Sequence, residues 1–60
     1  AMTPFPQPGE IWYSPRTGYK VRIKSTDAAT RKVYVTDGKI GYTMKLADFE
    51  DPGNAWRKIT

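Results

Sequence analysis

Lys20, Arg22 and Lys24 stand at every second position of the chain, with Val21 and Ile23 between them. On an extended strand that spacing puts the cations on one side and the apolar residues on the other. A second strand-like run, residues 32–36, sends Lys32 and Tyr34 one way and Val33 and Val35 the other. Together these runs make a cationic surface with a phenol ring in its middle. Such a surface can neutralise an anion and stack against a flat partner. Arg16 and Lys39 lie in loop-like sequence and extend the set at its rim. The competing meaning is a solvated outer face, whose charges also discourage edge-to-edge aggregation.

Catalytic chemistry finds little material. The 60 residues contain no histidine and no cysteine, which removes the commonest general base, the thiol nucleophile and the N/S ligand set of zinc. No glycine-rich phosphate loop is present. Asp48, Glu50 and Asp51 are close in sequence, but their spacing suits a helix cap and a solvated surface better than a metal cluster. The sequence therefore points away from an enzyme and calls for no cofactor and no metal.

Charge is unevenly spread. Ten Lys and Arg residues against six Asp and Glu give the chain +4. Between residues 11 and 47, the basic Arg16, Lys20, Arg22, Lys24, Arg31, Lys32, Lys39 and Lys45 face only Asp27 and Asp37, a local net of +6. After residue 47, Asp48, Glu50 and Asp51 outnumber Arg57 and Lys58. No apolar run approaches the roughly 20 residues of a membrane span or resembles a signal peptide. The expectation is a soluble, cytoplasmic protein.

The elements that must position these cations are short strands. Apolar residues nowhere recur at helical spacing over two turns. Residues 10–13 read as a first strand, 14–18 as a loop, 19–26 as a second strand and 27–31 as another loop. Residues 32–36 and 40–46 read as a hairpin, 46–50 as a single helical turn, 51–54 as a turn and 55–59 as a last strand. Asp37-Gly38 suits a two-residue type I′ turn. That turn pairs Val35 with Ile40, Val33 with Tyr42, and Tyr34 with Gly41, where the ring would cover exposed backbone. Pairing Val21 with Val35 and Ile23 with Val33 then sets Lys24 directly across from Lys32. Like charges so placed are mildly destabilising, and an anion between them would remove the conflict.

Leu, Ile, Val and Phe make up only 10 of 60 residues, below the roughly 20% associated with ordered chains. The large aromatic rings must supply the remaining apolar area. The expected core is Ile11, Trp12, Val21, Ile23, Val33, Val35, Ile40, Tyr42, Met44, Leu46, Phe49, Trp56 and Ile59. Residues 1–9 alternate Pro4, Pro6 and Pro8 and read as an extended arm laid on the domain by Phe5, with Ala1 as a cloning remnant; residues 10–60 form the domain.

Five short strands with a helical turn before the last one call for a small, partly open all-β barrel. This order resembles the SH3-like barrel class. The likeness rests on the opening Pro8-Gly9-Glu10-Ile11-Trp12, the Val21/Ile23 and Val33/Val35 pairs, and the closing Phe49, Trp56 and Ile59. The chain is also similar to short bacteriophage and prophage proteins, many with SH3-like cores. The aromatic strand motif and acidic loop of proline-binding SH3 domains are absent, since Ile11-Trp12-Tyr13-Ser14 and the Arg16 loop take those places. In charge the chain looks most like the basic SH3-like barrels that bind nucleic acid.

The reading that follows is a non-catalytic module binding DNA or RNA with weak sequence selectivity, through Arg16, Lys20, Arg22, Lys24, Lys32, Tyr34 and Lys39. The alternative is a protein-interaction module, such as a phage-encoded modulator of a host protein. An acidic partner would use the same face, and Trp12, Tyr13, Tyr19 or Trp56 would anchor it wherever one proves exposed. The domain is expected to act as a monomer or with weak self-association.

Overall fold

The computed structural model describes residues 5–60. It contains β1 (Ile11–Tyr13), β2 (Lys20–Asp27), β3 (Lys32–Thr36), β4 (Gly41–Lys45), the short helix α1 (Leu46–Glu50) and β5 (Arg57–Lys58). The strands form one open antiparallel sheet in the order β4-β3-β2-β1-β5. The fold is all-β apart from α1. The last strand returns to lie beside the first, and β4 and β5 are the two edges.

Alternation in β2 and β3 does what pleating requires. Val21, Ile23, Val33 and Val35 are fully buried, while Lys20, Arg22, Lys32 and Tyr34 are exposed. Trp12, Leu46 and Phe49 complete the core, with Phe5, Met44 and Trp56 packed against it. Trp12 meets Phe49 edge-on at 5.5 Å between ring centroids, and Phe49 contacts Trp56 at 5.2 Å. The core face is thus covered by α1, Phe5 and Trp56, with no ladder joining the two edge strands. Aromatic area substitutes for missing aliphatic residues, because each large ring buries about 150–250 Å².

Five residues cannot sustain an isolated helix, so α1 depends on its surroundings. Leu46 and Phe49 are buried. The Leu46 amide donates to the Arg31 carbonyl at 2.9 Å, which ties the start of α1 to the residue just before β3. The Asp48 carboxylate accepts from the Lys45 amide at 3.3 Å, half of a capping box. Among the described residues, no helix is long and apolar enough to cross a membrane.

From Phe5 on, the N-terminal segment lies on the sheet. Pro6 is buried, the Gly9 amide donates to the Ile23 carbonyl, and the Ile23 amide donates to the Glu10 carbonyl, both at 2.9 Å. The arm expected over residues 1–9 is therefore docked where it is described. Ala1 and Pro4 lie outside the described residues.

Two registers differ from the sequence expectation. The β3–β4 connection is a four-residue loop, residues 37–40, rather than a two-residue turn. Asp37 Oδ1 accepts from the Lys39 and Ile40 amides at 2.8 and 3.0 Å. Thr36 Oγ1 accepts from the Gly38 amide and donates to the Ile40 carbonyl. These side-chain bonds close a wider loop than a type I′ turn, and Gly38 takes its positive φ within it. Val35 consequently pairs with Tyr42, Val33 with Met44, Tyr34 with Thr43, and Gly41 with Thr36. The slip is two residues, so every side chain keeps its expected face. Ile40 is left in the loop at 63% exposure, and Tyr34 does not cover Gly41.

The β2–β3 ladder contains a bulge at Lys24. Ile23 pairs with Val35, then Ser25 with Tyr34, Thr26 with Val33 and Asp27 with Lys32. Lys24 and Lys32 are therefore not opposite each other. The extra residue lets Asp27 reach the loop, where its Oδ1 accepts from the Ala29 and Thr30 amides at 3.0 and 3.3 Å. At the C-terminus, β5 is only Arg57–Lys58, because Ala55 adopts a left-handed φ of 57° inside the preceding turn. Ile59 is 47% exposed and stands outside the core, and Tyr42 is only half covered at the β4 edge.

Candidate nucleic-acid interface

The side of the sheet away from Trp12 and Phe49 carries the charge. Cross-strand pairing sets out its rows. Arg57, Tyr13 and Lys20 form one. Ile11, Arg22, Thr36 and Gly41 form the next. Ser25, Tyr34 and Thr43 follow, with the bulged Lys24 beside them. Asp27, Lys32 and Lys45 make the last. Directly paired residues share a face, so Lys20, Arg22, Lys24, Lys32, Lys45 and Arg57 are on one surface with Tyr34.

Two shallow depressions mark this face. One, about 460 Å³, is lined by Ile11, Lys20, Arg22, Thr36 and the 37–38 loop residues. The other, about 250 Å³, is lined by Lys24, Tyr34, Gly41, Tyr42 and Thr43. The bulge throws Lys24 across β3. Its Nζ lies 3.4 Å from where a Cβ on Gly41 would stand, so the bare glycine backbone leaves room for the ammonium beside the Tyr34 ring.

Among the described residues the sole ion pair joins Lys58 Nζ to Glu10 Oε2 at 3.4 Å. None of the outer-face cations has a carboxylate within pairing distance. Asp27 and Asp37 border the face, and their charges are engaged by the chain itself. Hydrogen bonds from Thr30 hold the Asp27 carboxyl below its usual range, and amides of Ile40 and Lys39 do the same for Asp37. Both stay ionised at neutral pH, so the face is basic with two anionic points on its border.

The residues singled out from sequence separate into groups. Lys20, Arg22, Lys24, Lys32 and Tyr34 share the outer face. Arg16 is elsewhere in role: its guanidinium donates to the Gly53 carbonyl at 2.8 Å and pins the residue 14–18 loop to the 51–54 turn. Lys39 is exposed in the 37–40 loop. Arg57 and Lys45 were not singled out, yet the sheet brings both onto the face. The position of Arg57 follows from pairing across 44 residues of chain with Tyr13, which no local pattern encodes. Lys45 lands opposite Lys32 because of the longer hairpin loop.

Of the four possible aromatic anchors, Trp12 is buried, Tyr13 and Trp56 are half-buried, and Tyr19 is 65% exposed. Partial burial, the Asp37 charge and the Tyr19 phenol raise the ionisation of Tyr42 above its usual 10.0. Comparison with protein-family models, curated proteins and solved structures found no match.

Proposed function

We propose that the outer sheet face is a nucleic-acid-binding surface on a small SH3-like barrel, acting without catalysis. The observation that carries this reading is the unpaired cation set, Lys20, Arg22, Lys24, Lys32, Lys45 and Arg57, on the same sheet face as the half-exposed Tyr34. Cations held on a rigid sheet neutralise backbone phosphates and release their counterions. Tyr34 adds a ring on which an unpaired base or a sugar stacks. Four of the six cations are lysines, which meet phosphates as point charges, so binding through this face is weakly selective for sequence. The strand order, with the fifth beside the first, supports the barrel assignment.

The test is an amide-resolved NMR titration with a short single strand and a short duplex, at low and physiological salt. Shifts clustered on β2 and β3, fading with salt and reduced in Lys24→Gln and Tyr34→Ala, support the reading. A Tyr19→Ala control should bind like wild type. Absence of shifts at both salt concentrations overturns it.

A protein partner is the second reading, favoured by the exposure of Tyr19 and Ile40 at one end of the sheet. An interaction lost with Tyr19→Ala and kept with Tyr34→Ala would select it.

A further inference from the structure

At the end of the sheet where β3 meets α1, a separate depression of about 250 Å³ is lined by Thr30, Arg31, Lys32, Lys45, Ala47 and Glu50. We propose that Arg31, Lys32 and Lys45 form a site for a phosphoryl group. Lys32 and Lys45 also stand on the outer face, and Arg31 is what sets this site apart from the Lys24–Tyr34 surface; phosphoryl binding here does not require that surface to take a nucleic acid.

The first argument is register. Lys32 and Lys45 are directly paired across β3 and β4. Like charges so opposed repel, which makes the pairing unfavourable unless something negative lies between or above them. Asp27 stands on the other side of Lys32 and its charge acts on that lysine, but it is not within pairing distance, and Lys45 on the edge strand has no cross-strand partner except Lys32. Glu50 is the one carboxylate on the lining, and it approaches neither lysine within pairing distance among the described residues.

The second argument is backbone conformation. Arg31 sits at φ 58°, in the left-handed region that a β-carbon disfavours and glycine tolerates. Ala55 shares that conformation, so the backbone alone marks nothing. Arg31 differs in bringing a guanidinium to the same depression as two lysines, at a position where glycine would suit the fold better. Its carbonyl is held by the Leu46 amide, so the base of the side chain is fixed. A planar fork flanked by two point charges matches the oxygens of a phosphoryl group.

The group could belong to a small phosphate compound or to the terminal phosphate of a nucleic-acid strand, and the test separates them. Pyrophosphate is titrated into the full chain at low salt and followed by amide NMR. Saturable shifts at residues 30–32 and Lys45 are expected, with affinity falling about tenfold or more in Arg31→Gly and Lys45→Gln, and unchanged in Arg16→Gln, whose guanidinium is held by the Gly53 carbonyl. Arg31→Gly should melt at the same or a higher temperature than wild type, so its loss of binding cannot come from unfolding. The second arm compares a single strand with and without a 5′-phosphate. Tighter binding of the phosphorylated strand, abolished by Arg31→Gly, assigns the site to strand ends; equal binding of both strands alongside saturable pyrophosphate binding assigns it to small phosphates. Pyrophosphate shifts that are absent, spread over all cations, or undiminished in Arg31→Gly overturn the proposal.

Discussion

The indole N–H of Trp12 donates to Glu10 Oε1 at 3.1 Å, joining the largest core side chain to a carboxylate two residues before it. Oε1 also accepts from the Gln7 amide at 2.8 Å, and Oε2 meets Lys58 on β5. One carboxylate thereby links the docked N-terminal segment, β1 and the last strand. The Gln7 amide bond, foremost, with the Trp12 and Lys58 contacts, holds the Glu10 carboxyl below its ordinary 4.5 against the opposing effect of burial.

That shift makes folding acid-sensitive. A carboxyl with a lowered folded value contributes its stability fully above its unfolded value and loses it as pH falls through the folded one. Asp27 and Asp37 shift in the same direction. Thermal stability should therefore be level near neutrality and decline below about pH 4.5, where unfolded carboxyls take up protons. Glu10→Gln should lower stability at pH 7 and flatten part of that decline. A melting temperature of Glu10→Gln equal to wild type at pH 7 would show that the carboxylate holds nothing together.

Ser14 is the one fully buried polar residue in the described chain. Its hydroxyl donates to the Asn54 carbonyl and accepts from the Thr17 amide, and Asn54 Nδ2 in turn donates to the Asp48 carbonyl. Ser14→Ala leaves the Asn54 carbonyl without its donor and should cost about 1–3 kcal/mol by urea denaturation. Against a total of roughly 3–9 kcal/mol for a chain this short, that is a large fraction. Arg16→Gln removes only an exposed bond between the same two loops and should cost less than about 1 kcal/mol.

The hairpin register has its own test. Ile40 in the exposed loop and Val35 in the core would be direct neighbours under a two-residue turn. In the observed register Ile40→Thr should change stability by no more than about 0.5 kcal/mol. Val35→Ala should cost about 2 kcal/mol. Similar losses at both positions would restore the shorter turn.

Nucleic-acid affinity should fall with salt in proportion to the phosphates contacted, each adding about −0.7 to −0.9 to the log–log slope. Neutralising Lys24 should reduce the slope by about one contact, whereas Arg16→Gln should leave it unchanged because that guanidinium is held by Gly53. Tyr34→Ala should weaken single-strand binding without altering the slope, since stacking releases no counterions. Fluorescence anisotropy across a salt series measures all three, and equal slopes for wild type and Lys24→Gln would remove Lys24 from the interface.

Alternation alone determined which residues of β2 and β3 face inward, because the pleat has a period of two and the apolar residues follow it. It likewise assigned Lys20, Arg22, Lys32 and Tyr34 to the outer face, and the short helical turn at Leu46–Glu50 followed from local composition. Register was beyond reach. Asp37 and Thr36 close the hairpin with their own side chains, and a bulge at Lys24 absorbs the residue that lets Asp27 cap its loop; both outcomes depend on several bonds formed at once. Tertiary pairing then decided which cations meet. Lys45 moved opposite Lys32, Arg57 came to Tyr13 from the far end of the chain, and Arg16 was spent on Gly53. Parity is a property of each strand by itself, whereas neighbours across strands are set only when the loops and the core close together.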